Sequence, residues 1–254
     1  MSSVPEDLAG RLYRAYVDAD PVDPAEVPDL TVEEGYATQR AFTERRAEAE
    51  GPVAGYKIGF TNGAVQADLG VSEPSFGRVL RGTVRDDRRV DADGLIEPMV
   101  EPEIAVVLGE DLDGSADRRD ALAATRFVVP VLEVVDSRIE GWEFTAASAV
   151  ADNSLAARLL PGDRLGTPDG DLALEAVELL LDGERAATGT GAAVLGHPAE
   201  AVAWLAGELP AHGEALLAGD IVTTGSMTAP VPVAAGNTVV ARFGSLGSVV
   251  AHLG

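Results

Sequence analysis

Phe127-Val128-Val129-Pro130-Val131-Leu132-Glu133-Val134-Val135 is apolar from end to end except for one carboxylate. A run this continuous reads as a buried strand. An unpaired ionised carboxylate inside it would be very costly, so Glu133 needs a cation or a proton. Just upstream, Val100-Glu101-Pro102-Glu103-Ile104-Ala105-Val106-Val107-Leu108 reads as a second strand, entered through glutamates at i and i+2. That spacing sends both carboxylates to the same face. Further short apolar runs bounded by Gly, Pro and Asp lie at 55–60, 172–181, 221–224, 231–234, 238–243 and 248–253, and they read as strands as well.

Helical patterns are fewer. Leu8, Leu12 and Tyr16 recur four apart behind Pro5, and Thr31 with Glu34 forms a capping-box pattern ahead of a periodic stretch to about Glu50. Pro21, Pro24 and Pro28 make the segment between them an extended connector. Later helices are expected over 117–126, 145–160 and 198–209, the last with Pro198 in its first turn. Strands that do not alternate regularly with helices argue for an α+β domain built on a mixed, rolled or barrel-like sheet, and against a doubly wound nucleotide fold. The expected division is an N-terminal helical arm over 1–50 and a catalytic domain over 51–254. No internal repeat or low-complexity tract interrupts it.

The 254 residues carry a formal net charge of −23. Such a surface repels nucleic acid phosphates and anionic lipid, so neither is an expected partner. A carboxylate substrate would be repelled too, unless its site holds local positive charge from a metal, a lysine or backbone N–H groups. The absence of cysteine removes disulfides, thiolate zinc sites and cysteine nucleophiles. His197, His212 and His252 are scattered without zinc-site spacing. With no positively charged leader pattern and no apolar run of membrane length, a cytoplasmic location is expected.

Three carboxylates meeting at one point suit a hard cation such as Mg²⁺ or Mn²⁺. The alternative is a solvated strand end at Glu101 and Glu103, with Glu133 paired to an arginine. Of 19 basic residues the only lysine is Lys57, within Gly55-Tyr56-Lys57-Ile58-Gly59-Phe60-Thr61. Arginine does not release its proton at workable pH whereas lysine is tunable, so this exception points to acid–base work or a compact carboxylate contact, against the reading of chance placement. Asp152-Asn153 reads as a ligand-orienting pair or a cap. Gly225-Ser226-Met227-Thr228 offers hydroxyl and N–H donors to a carboxylate, or forms an ordinary turn.

Taken in order, Tyr56–Thr61, Glu101-Pro102-Glu103-Ile104-Ala105, Leu132-Glu133-Val134-Val135-Asp136-Ser137-Arg138, Ala151-Asp152-Asn153, Leu195-Gly196-His197-Pro198 and Gly219-Asp220-Ile221-Val222 through Gly225-Ser226 resemble the 2-keto-4-pentenoate hydratase and 4-oxalocrotonate decarboxylase family. That family lies within the fumarylacetoacetate hydrolase-like superfamily, and the resemblance covers about Gly51 to Gly254. It implies a mixed β-roll, a homo-oligomer, and Mg²⁺ or Mn²⁺ on Glu101, Glu103 and Glu133. It also implies Lys57 as the acid–base group and a 2-oxo or 2-hydroxydienoic acid contacted by Gly59, Phe60, Thr61, Ser75, Asp152 and Ser226. The activity implied first is hydration to a 4-hydroxy-2-oxo acid; decarboxylation, tautomerisation, or a non-catalytic subunit supporting a partner enzyme of the same pathway are the alternatives.

The pattern departs from the resembled hydratases at Ser75, where they carry an aspartate before Phe-Gly. Glu73, Glu140 and Glu143 are the candidates to replace it. The short connection from Glu133 to Asp152 is hydratase-like, whereas Ser226–Pro232 is closer to the decarboxylases. Trp142 and Phe144 are expected as walls for an apolar substrate tail.

Overall fold

Thr31 and Glu34 form the expected capping box, each side chain bonded to the other's backbone N–H, and start helix α2 (Val32–Glu50). Before it lies α1 (Val4–Asp18), whose Leu8, Leu12 and Ala15 face inward. The computed structural model describes residues 4–63, 66–67, 70–167 and 170–254, so the first three residues of the expected arm lie outside it. Leu8 and Leu12 pack with Phe42 of α2 against Ile139 and Ala151. Between the helices the Pro-rich connector holds only a short 3₁₀ turn, Pro24–Glu26, and a bridge from Val22 to Ile139.

Among the described residues twelve strands form two sheets: β1 (Val53–Gly59), β2 (Ser75–Leu80), β3 (Arg89–Val90), β4 (Met99–Leu108), β5 (Thr125–Val135), β6 (Ala156–Pro161), β7 (Ala176–Leu181), β8 (Glu184–Thr190), β9 (Ile221–Ser226), β10 (Val231–Pro232), β11 (Thr238–Phe243) and β12 (Gly247–Leu253). The larger sheet runs β2-β1-β9-β4-β5-β6, with β10 also on β4, and curls into a half-barrel. The smaller runs β3-β12-β11-β7-β8. Both are mixed: β1–β9 and β12–β3 are parallel and the other pairs antiparallel. Leu132 and Val134 of the larger sheet share one core with Leu179, Val239 and Val249 of the smaller and with Val202 and Leu205 of helix α5 (Pro198–Glu208). The α+β class with a rolled mixed sheet is therefore as expected.

Several boundaries differ. The helix expected over 145–160 is only one and a half turns, α4 (Ala146–Ala151). Asn153, Ser154 and Leu155 follow with φ of 54°, 47° and 66°, and the chain then enters β6. The helix stops because Asp152 and Asn153 spend their side chains on distant partners rather than on helix propagation. The expected 117–126 helix is α3 (Arg118–Ala124), with β5 beginning at Thr125, and the 172–181 run opens as a 3₁₀ turn before β7. β2, β3, β6 and β8 have no counterpart in the sequence reading.

Candidate active site

The order β1-β9-β4-β5 brings Lys57, Glu101, Glu103 and Glu133 to one face of the half-barrel. Glu101 of β4 lies directly opposite Glu133 of β5, and Glu103 is two residues along the same strand, opposite Ser226 of β9. Ligand atoms of the three carboxylates all lie within 4.8 Å of one another. Like charges placed directly across a sheet are destabilising unless something neutralises them.

Burial sharpens the conflict. Glu103 and Glu133 are 1% and 3% exposed. Removal from water pushes the Glu101 carboxyl up to about 7 and the Glu103 carboxyl well above the usual range, with the neighbouring carboxylates adding to Glu103. Glu133 is raised by burial too, against the pull of Lys57. Glu103 Oε2 accepts from the Gly225 N–H at 2.9 Å, whereas its Oε1 is buried without a hydrogen-bond partner. Three clustered carboxylates, with Glu103 Oε1 and Glu133 Oε2 both buried without a hydrogen-bond partner, are the donor set a hard dication takes, and the residues fit such an ion.

Lys57 is held from two sides. Its Nζ donates to the Ser154 carbonyl at 2.9 Å and lies 3.3 Å from Glu133 Oε2. Burial works against the ammonium, but Glu133, Glu101 and Glu103 together outweigh it and raise the Lys57 pKa. The Ser154 carbonyl reaches Lys57 because of the left-handed turn at 153–155. The Ser154 hydroxyl donates to Phe76 O and lies 3.1 Å from the Ser75 hydroxyl, which ties the turn to β2. Gly77 leaves room for that approach: a Cβ there would sit 2.3 Å from Asn153 O.

Above these groups opens a cavity of about 460 Å³, with Lys57, Glu101 and Glu103 at its polar end and Ile58, Phe60, Trp142, Phe144 and Leu155 among its apolar walls. Residues 83–253 match the family model of the fumarylacetoacetate hydrolase C-terminal region. The chain belongs to the fumarylacetoacetate hydrolase family. Within that family it is 40% identical over 239 residues to a 2-hydroxyhexa-2,4-dienoate hydratase of Comamonas testosteroni, covering 91% of this chain and 90% of the relative. It is 39% identical over 228 residues to a 4-oxalocrotonate decarboxylase of Pseudomonas putida, covering 89% and 86%. A solved 4-oxalocrotonate decarboxylase from Pseudomonas putida G7, complexed with magnesium and adipate, superposes with a TM-score of 0.93 at 36% identity, covering 98% of this chain and 97% of that one. The 2-keto-4-pentenoate hydratase and 4-oxalocrotonate decarboxylase branch named from the motifs is thus the branch these relatives occupy.

For this family member the expected contact residues fall into two groups. Gly59, Phe60, Thr61 and Ser226 line the cavity, as do Trp142 and Phe144. Asp152 does not. It is wholly buried, and its carboxylate takes the Arg138 backbone N–H at 2.8 Å and the Arg138 Nε at 2.5 Å. It sits beside the 153–155 turn and holds Arg138 there. Ser75 pairs with Gly59 across β1 and β2 and does not line this cavity, and its hydroxyl lies 3.1 Å from that of Ser154. Of the suggested replacements for the missing aspartate, Glu73 faces a separate cavity beside Tyr36 and Trp204, while Glu140 and Glu143 are exposed. Ser154 and Leu155 were not anticipated. The only sequence signal for them was the Asp-Asn pair just before, which marks an interrupted helix. Among the described residues no helix is long and apolar enough to cross a membrane.

Proposed function

We propose that this chain is a divalent-metal-dependent hydratase that converts a 2-hydroxy-2,4-dienoate into a 4-hydroxy-2-oxo acid. The observation that carries it is the convergence of three carboxylates within 4.8 Å beside the chain's one lysine, at the polar end of an apolar cavity. The magnesium in the similar decarboxylase structure and the hydratase names among the relatives support it. Glu101, Glu103 and Glu133 would hold Mg²⁺ or Mn²⁺, which when bound supplies Lewis-acid polarisation of a 2-oxo acid.

The rest falls to the protein. The Lys57 ammonium gives a proton to C5, and the amine left behind takes the proton lost from the substrate 2-hydroxyl, which converts the dienol to the conjugated 2-oxo-3-enoate and restores the ammonium. Water then adds across C3=C4, its oxygen to C4 and a proton to C3. The Ser154 carbonyl and Glu133 fix the ammonium so that its remaining proton points into the cavity, and the Gly225 N–H holds Glu103 in register for the ion. The apolar walls limit bulk water around the proton transfers.

A second reading is favoured by Ser75. Among the described residues the cavity walls carry no carboxylate besides the metal-binding set, so water has no dedicated base, and a decarboxylase or a tautomerase that stops after the first proton transfer uses the same groups. Incubation with Mg²⁺ and a freshly generated 2-hydroxydienoate in H₂¹⁸O separates these. Label at C4 by NMR establishes hydration, whereas CO₂ release or an unhydrated ketone transfers the assignment to the second reading.

A further inference from the structure

Trp142 is held in a conformation that its own backbone disfavours. Gly141 and Trp142 have consecutive left-handed φ values of 64° and 58°, and for a bulky residue this costs free energy that the surroundings must offset. Part of the offset is the indole Nε1, which donates to Glu97 O at 3.1 Å. Part is packing: Trp142 and Phe144, with ring centres 6.0 Å apart, join Phe60, Met99, Val135 and Leu155 in one apolar cluster that forms the cavity wall away from Lys57.

The same wall has a charge pattern. Among the described lining residues Lys57 is the only cation, and it is committed to the polar end. The chain around the cavity offers no other, since residues 58–75, 95–103, 139–157 and 226–237 contain neither lysine nor arginine. Arg138, just outside these stretches, is buried and bound to Asp152. Glu140 and Glu143, near Trp142 in the chain, are exposed, and the indole is anchored to the backbone of Glu97. A carboxylate at the far end of a substrate would meet an apolar wall with no cation, and desolvating it there is prohibitive.

We propose that Trp142 and its cluster form a tail subsite that selects a monocarboxylic 2-oxo or 2-hydroxydienoic acid with an extended apolar tail and rejects dicarboxylic substrates. This rests on the function proposed above and specifies its substrate class. The reacting head of such an acid needs only the polar end, and the volume of about 460 Å³ leaves room for a tail. Trp142 is the specificity-determining residue of this subsite and takes no part in proton transfer.

Calorimetry on the Mg²⁺-loaded protein with three acids sharing one head tests it: pyruvate, 2-oxooctanoate and 2-oxoadipate. Because each buried methylene is worth about fourfold in affinity, 2-oxooctanoate should bind at least about tenfold more tightly than pyruvate, and 2-oxoadipate no better than pyruvate. Trp142→Ala should remove most of the advantage of 2-oxooctanoate over pyruvate, and Trp142→Phe should recover part of it. Tighter binding of 2-oxoadipate than of 2-oxooctanoate, or an unchanged preference in Trp142→Ala, overturns the tail subsite while the reading of the metal site stands. If no acid binds in a Mg²⁺-dependent way, both fall.

Discussion

The side-chain amide of Asn153 pairs with the backbone of Arg78, its Oδ1 accepting from the N–H at 2.7 Å and its Nδ2 donating to the carbonyl at 2.9 Å. One side chain thus does for β2 what a neighbouring strand would do, and in doing so pins the left-handed turn that offers Ser154 O to Lys57. Arg78 is itself fixed, its guanidinium bonded to Gln39 Oε1 at 2.6 Å and paired with Glu214. Lys57 is therefore positioned through the turn at 153–155, which is anchored on β2 and on Arg138.

Asn153→Asp tests that chain of support. The carboxylate keeps an acceptor for the Arg78 N–H but sets an anionic oxygen against the Arg78 carbonyl. Loss of one buried hydrogen bond with an unsatisfied group costs about 1–3 kcal/mol. A lower melting temperature is expected, and turnover should fall further than Mg²⁺ affinity, because Lys57 loses its anchor while the carboxylates keep theirs. Equal losses in both would place the damage in the fold rather than at Lys57.

Glu103→Gln separates the cost of the carboxylate cluster from its use. In metal-free protein the substitution removes a carboxyl whose ionised form is opposed by burial, by Glu133 and by Glu101, and whose Oε1 has no hydrogen-bond partner, so the melting temperature should rise. In the wild type, Mg²⁺ should stabilise by mass action, and in the variant that increment should shrink with an affinity loss of about tenfold or more. Chelator should abolish wild-type turnover. A variant that responds to Mg²⁺ as the wild type does would remove Glu103 from the ligand set.

Lys57→Arg keeps the charge and removes a proton that can be given up. Turnover should fall by about 10²–10⁴-fold, the usual worth of a positioned acid–base group. Mg²⁺ binding by calorimetry should survive within a few-fold. Lys57→Met supplies the uncharged comparison: similar loss in both variants assigns the defect to proton transfer, whereas near-normal turnover in the arginine variant would make Lys57 an electrostatic anchor only.

The carboxylates and Lys57 were legible in the sequence because their signals are local. The i, i+2 spacing of Glu101 and Glu103 fixes a shared face, and Glu133 stands out as the one charge in an apolar strand. Ser154 was not legible. Its role depends on three consecutive left-handed residues, and those are stable only because Asp152 finds Arg138 and Asn153 finds Arg78, 75 residues away in sequence. The same tertiary contacts ended the helix expected over 145–160. β2 was missed for a related reason: Ser75-Phe76-Gly77-Arg78 lacks strand patterning, since Gly77 is needed for the approach of Asn153 and Arg78 is buried through its partners.

Gly225 gives the most demanding test of the metal site, because it is not a ligand. Its φ of 110° lies where only glycine is at ease, and a Cβ there would fall 2.1 Å from Thr61 Oγ1. The bare Cα thus allows the cavity-lining Thr61 to pack against the same backbone whose N–H holds Glu103 Oε2. Gly225→Ala should cost about 1–3 kcal/mol in strain and should also weaken Mg²⁺ binding, since relief of either clash rotates the N–H away from Glu103. Adding Thr61→Gly removes the steric contact but not the strain in φ, so it should recover part of the stability and little of the metal affinity. If Gly225→Ala destabilises the protein yet binds Mg²⁺ with wild-type affinity, the hydrogen bond to Glu103 does not position the ligand, and Glu101 and Glu133 hold the geometry without it.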